Sequence, residues 1–133
     1  MALRNDDWGP LGRNSKDKLR LGSRPYKTYT ALLSQESTGA PVATVLENTL
    51  SGPVVWTRAS EGVYEGTLAD EFVDGKTVVI ALTPHMLGLT PTGESLVFRA
   101  SANAVQVQSY SDRFSTLADT LLENFPIEIR VYN

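Results

Sequence analysis

The sequence predicts an all-β fold: an antiparallel sandwich or barrel of about eight strands with one short helix, preceded by an extended N-terminal arm. Three observations carry this. Short β-branched and aromatic runs recur with turn signals roughly every 10 residues. Two of those runs alternate apolar and polar residues with period two. Before Tyr26 neither periodicity exists.

The strands follow in order. Tyr26–Gln35 (YKTYTALLSQ) is rich in tyrosine and threonine and ends at the turn cluster Ser37-Thr38-Gly39-Ala40-Pro41. Pro41–Asn48 (PVATVLEN) runs to Ser51-Gly52-Pro53, and Val54–Arg58 (VVWTR) runs to Ser60-Glu61-Gly62. Val63–Leu68 (VYEGTL) then pairs back as a hairpin. Thr77–Leu82 (TVVIAL) begins after Asp74-Gly75, and Ser95–Arg99 (SLVFR) after a turn at Thr90-Pro91-Thr92-Gly93. Ala104–Tyr110 puts Val105 and Val107 on one face and Gln106 and Gln108 on the other. Ile127–Tyr132 turns Ile127, Ile129 and Val131 inward and Glu128, Arg130 and Tyr132 outward. In Ser111–Phe125 the spacing of Phe114, Leu117, Leu121 and Leu122 is helical, and Pro126 would end such a helix. A short helix across one open end of the sandwich is the expectation there, with a loop as the alternative.

The chain divides at residue 25. Residues 1–25 hold six basic side chains against three acidic ones, whereas residues 26–133 hold six basic and twelve acidic, giving +3 and −6 within the overall −3. Gly9-Pro10, Gly12, Gly22 and Pro25 break any helix in the arm. A disordered tail is one reading. Trp8, Leu11, Leu19 and Leu21 favour the other, an arm that folds on a partner, because disordered segments are poor in such residues. The basic Arg13, Lys16, Lys18 and Arg20 would then meet acidic groups on that partner. Nucleic acid is disfavoured as the partner, since +3 is sparse for a tail that must neutralise phosphates.

Cysteine is absent, which excludes disulfides, thiolate catalysis and thiolate metal sites and fits a reducing compartment or assembly inside a cell. No apolar run approaches the roughly 20 residues of a spanning helix, and Met1–Trp8 has no secretory apolar core. These features predict no membrane partner.

Candidate chemistry is thin. His85 is the single histidine, no G-x-S-x-G elbow accompanies it, and it reads as a surface or turn residue. Glu61 and Glu65 flank the hairpin and could pair as glycosidase carboxylates, but nothing around them suggests the burial that raises one pKa. Asp70, Glu71 and Asp74 could offer oxygens to calcium, although their spacing departs from the EF-hand loop and reads as a solvated acidic turn. No catalytic residue, metal or cofactor is expected. The aromatic residues Trp56, Tyr64, Tyr26, Tyr29, Tyr110 and Tyr132 lie on or next to strands. Trp56 and one or two tyrosines suit the core, and Tyr110 and Tyr132 are expected to face outward, where sugar rings could stack.

The blocks Tyr26–Leu33 (YKTYTALL) and Ala40–Leu50 (APVATVLENTL) resemble a pattern, YKxYTALLxQ…APVATVLENTL, of small proteins encoded by bacteriophages and among phage genes in bacterial genomes. The Trp56 strand, Gly66-Thr67-Leu68 followed by Lys76-Thr77, and the ending Ile127–Asn133 (IEIRVYN) resemble it too, so the likeness covers 26–133 in patches and omits the arm. The resemblance implies a virion component: a capsid decoration, fibre or tail-associated protein that assembles with other virion proteins and with copies of itself. It supplies no catalytic residue. A carbohydrate- or receptor-binding sandwich is the alternative.

Overall fold

The computed structural model describes residues 24–81, 85–87, 90–111 and 115–133. The arm residues Trp8, Leu11, Arg13, Lys16, Lys18, Leu19, Arg20 and Leu21 lie outside the described residues.

Among the described residues the chain forms nine strands in two antiparallel sheets. They are β1 (Tyr26–Ser34), β2 (Val42–Asn48), β3 (Val55–Ser60), β4 (Val63–Thr67), β5 (Thr77–Ala81), β6 (His85–Leu87), β7 (Thr90–Ser101), β8 (Ala104–Tyr110) and β9 (Phe125–Tyr132). The first sheet runs β2-β1-β9-β5 and the second β3-β4-β8-β7-β6. The first and last strands are neighbours, in a register that sets Tyr132 opposite Tyr26. The Asn133 amide donates to the Pro25 carbonyl at 2.9 Å, which closes the two ends of the domain on each other.

Period-two burial builds the core. Tyr29, Ala31 and Leu33 of β1 and Ile127, Ile129 and Val131 of β9 turn inward together, because their register places them side by side. They meet Trp56, Tyr64, Val105 and Val107 of the second sheet, with Phe72, Leu122 and Phe125 completing one cluster. The indole nitrogen of Trp56 donates to the Tyr29 hydroxyl at 3.0 Å, so the largest core side chain leaves no buried donor unpaired. Its ring lies over its cross-strand neighbour Gly66, where an added Cβ would come within 2.9 Å of the indole. Glycine is the residue that lets the indole lie flat there. The hairpin between β3 and β4 turns through Glu61 and Gly62. Gly62 has φ 71°, and an added Cβ would stand 2.6 Å from the Ala118 amide.

Two expectations differ from the structure. Thr90–Gly93 is not a turn: it begins the 12-residue strand β7, whose first residues pair with β6, and this places His85 on an edge strand opposite Gly93. Helical spacing in Ser111–Phe125 does not produce a helix in residues 115–124, which form turns and a single bridge from Leu117 to Tyr110. Thr120 and Asn124 adopt φ of 68° and 49°, values no α-helix contains. Leu122 is buried by direct packing of this loop over the core. Residues 112–114, with Phe114, lie outside the described residues.

Candidate functional site

Three groups of side chains invite a functional reading. The first is centred on Asp119, in the loop that covers one end of the core. Arg58 on β3 donates to both carboxylate oxygens, through Nε at 3.2 and 3.1 Å and through Nη2 at 2.7 Å. The Gly62 amide reaches the same carboxylate at 3.0 Å and the Tyr64 hydroxyl at 2.8 Å. Gln35 finishes the cluster: its Oε1 accepts from the Thr120 amide at 2.7 Å, and its Nε2 donates to the Ser37 and Gly39 carbonyls. The Arg58 guanidinium holds the Asp119 carboxyl at about 2, helped by the Gly62 and Tyr64 donors against the cost of burial. Burial, reinforced by the Asp119 charge, drives the Tyr64 phenol well above its ordinary value. A general base needs a free lone pair and a pKa near the working pH. Asp119 has four donors and a depressed pKa. It is a clamp that ties the loop to the β3–β4 hairpin.

The second group answers the acidic turn. Glu71 is buried, with its side chain 3 % exposed, and Lys27 of β1 pairs with it at 2.7 Å. Ser51 donates to its other oxygen. Burial pushes the Glu71 carboxyl up, but Lys27 and Ser51 outweigh it and leave the carboxyl below its usual range. Asp74 turns away to Arg99 at 3.5 Å. No cluster of three or more His, Cys, Asp or Glu capable of holding a metal occurs among the described residues.

The third group is the pair of outward faces. On the first sheet Tyr132 packs on Tyr26 with ring centroids 5.0 Å apart, and the guanidiniums of Arg130 and Arg24 sit 4.8 and 5.6 Å from the Tyr26 centroid. Arg130 is paired with Glu128 and Arg24 with Glu47, each at 2.5 Å. Away from this cluster β5 exposes Val78 and Ile80, and Ile80 lines a shallow hollow of about 170 Å³ with Ala81, Pro126, Ile127, Thr30 and Glu128. The edge strand β2 exposes Val42 at 71 %, Leu46 at 61 % and Val45 at 50 %. A bulge between Val45 and Glu47 leaves Leu46 without a register partner on β1.

On the second sheet, Gln106, Gln108 and Tyr110 form a row on the outward face of β8. The Tyr110 hydroxyl donates to Gln108 Oε1 at 2.6 Å, Gln108 Nε2 to Gln106 Oε1 at 2.7 Å, and Gln106 Nε2 to Glu65 Oε2 at 3.2 Å. Glu65 therefore ends a polar row, while Glu61 lies in the hairpin turn. Tyr110 and Tyr132, the two expected surface aromatics, are both half-buried and occupy opposite sheets, so they make no common platform. Sequence reasoning missed Asp119 and Gln35, because Tyr64 lies 55 residues from Asp119 and Thr120 lies 85 residues from Gln35.

Comparison with protein-family models, with curated proteins and with solved structures finds no match to this chain. No helix among the described residues is long and apolar enough to cross a membrane.

Proposed function

We propose that this chain is a structural component of a bacteriophage virion, a capsid decoration, fibre or tail-associated protein that works by protein–protein assembly. In this reading its N-terminal arm docks on the β2 edge of a neighbouring copy. The setting rests on the resemblance of the Tyr26–Leu33, Ala40–Leu50 and Ile127–Asn133 blocks to phage-encoded proteins. The observation that carries the mode of action is the β2 edge itself. The bulge and Glu47 blunt the end of this edge, but Val42 to Val45 ahead of them carry no charge or proline, and with Val42, Val45 and Leu46 exposed that stretch invites pairing with another chain.

Two further features support the arm as occupant. Arg24 is ion-paired with Glu47 of β2, so the arm joins the domain beside this edge. The arm's balance of +3 also complements the −6 of the domain. Trp8, Leu11, Leu19 and Leu21 would bury against Val42, Val45 and Leu46 while Arg13, Lys16, Lys18 and Arg20 stay at the rim. Each apolar anchor contributes roughly 1.5–3 kcal/mol, whereas ordering each residue of the arm costs roughly 1–2 kcal/mol. Four anchors are insufficient alone. Backbone hydrogen bonds along the edge and repeated docking around a symmetric assembly supply the remainder.

The absence of cysteine gives a clean test. A Leu21→Cys chain mixed with a separately tagged Leu46→Cys chain should form an intermolecular disulfide under mild oxidation. Leu21→Cys with Asp74→Cys should not. Equal yields from both pairs, or a bridge that forms only within a doubly substituted chain, would contradict docking between copies.

A further inference from the structure

We propose that the outward face of the second sheet is a saccharide-binding site, in which a neutral di- or trisaccharide lies along Gln106, Gln108 and Tyr110 between Phe98 and Glu65. This is independent of the assembly reading and concerns the opposite sheet.

Strand alternation fixes the geometry. Val105, Val107 and Ser109 are buried, so Gln106, Gln108 and Tyr110 project together from the other face of β8. At roughly 3.4 Å per residue the row runs about 13 Å, the length of a di- to trisaccharide. Across the strands, Gln106 sits between Glu65 of β4 and Phe98 of β7, and Gln108 between Val63 and Leu96. Phe98 and Leu96 are exposed at 38 % and 43 %, which gives the row an apolar wall on one side.

The hydrogen bonds all run one way, from the Tyr110 hydroxyl through both amides to the Glu65 carboxylate. Each glutamine spends one N–H and one oxygen lone pair in the row and retains one of each. The row thus holds its planar groups in fixed orientation while presenting donors and acceptors side by side. A sugar hydroxyl, both donor and acceptor, matches that pattern. The Phe98 ring offers the apolar face on which the C–H surface of a pyranose packs. Preorganisation lowers the entropy lost on binding, the main cost for a small polar ligand. Glu65, and Glu94 opposite Tyr110, border the row in a domain of charge −6, so the site favours uncharged sugars over sialylated or sulphated ones.

The test uses the full chain, labelled with nitrogen-15, and the neutral probes maltotriose, cellotriose and chitotriose at up to about 10 mM, a range suited to dissociation constants near 1 mM. At least one probe should shift the side-chain amide signals of Gln106 and Gln108 in a saturable way. Phe98→Ala and Gln106→Ala, each at a solvent-facing position that leaves the core intact, should weaken that probe at least tenfold, and deletion of residues 1–23 should leave it unchanged. The proposal is overturned if none of the three probes shifts these signals, if sialyllactose binds more tightly than all of them, or if a synthetic peptide of residues 1–23 moves the same signals in their place.

Discussion

Replacing Asp119 by Asn keeps the side chain's shape and removes its charge, which isolates what the clamp contributes. The folded carboxyl is held at about 2, against 3.8 for an unperturbed aspartate. At about 1.4 kcal/mol per pH unit, that difference corresponds to up to about 2.5 kcal/mol of stability at neutral pH. Little solvent screening reduces it, since the Asp119 side chain is 13 % exposed. The sign follows from the depressed folded value: the stabilisation is complete above 3.8 and disappears as pH falls through about 2. Urea unfolding of both chains, followed by tryptophan fluorescence, should show Asp119→Asn less stable by about 2 kcal/mol at pH 7. The gap should shrink to about half by pH 3 and nearly close below pH 2. Asp74→Asn is the control, because that carboxylate is 89 % exposed and should show neither effect. A gap under about 0.5 kcal/mol at pH 7, or one that is equally large at pH 2, would refute the clamp, since charged hydrogen bonds of this kind are worth about 1.5–3 kcal/mol.

Other contacts of the core and the edge strand respond to single substitutions. Gly66→Ala drives a methyl to within 2.9 Å of the Trp56 indole and should cost about 1–3 kcal/mol with a changed tryptophan emission; an unshifted urea midpoint would contradict the packing. Lys27→Met should destabilise more than Glu71→Gln, because it strands a buried carboxylate, whereas Lys27, half exposed, can rehydrate. The stranded Glu71 would take up a proton more readily, so the Lys27→Met chain should gain stability relative to wild type as pH falls from 7 to 5. Identical pH profiles would count against the pair. Val42→Asp, on an exposed edge position, should leave the urea midpoint of the monomeric domain nearly unchanged while abolishing association.

How far the sequence could be read depended on whether burial was local. In β8 and β9 the alternation of Val105, Gln106 and Val107, and of Ile127 to Tyr132, announced face and period, and the strands lie where it put them. The hairpin turn at Glu61-Gly62 was equally legible. Leu117, Leu121 and Leu122 misled because a loop draped over an open core can bury residues at helical spacing without helical backbone. Its path is set by Asp119 and Gln35 bonding to distant residues, which no window along the chain contains. The acidic turn misled in the same way: Glu71 looked solvated until Lys27, 44 residues earlier, was brought beside it. Gln106 and Gln108 were seen as an outward face, but their connection to Glu65 needed the β4–β8 register.

The arm is where the account is most directly exposed to test. Sedimentation equilibrium of the full chain and of a chain starting at residue 24 should show concentration-dependent association for the first and a folded monomer, with unchanged circular dichroism, for the second. Two chains of equal mass, whether both monomers or both the same oligomer, would contradict assembly through the arm.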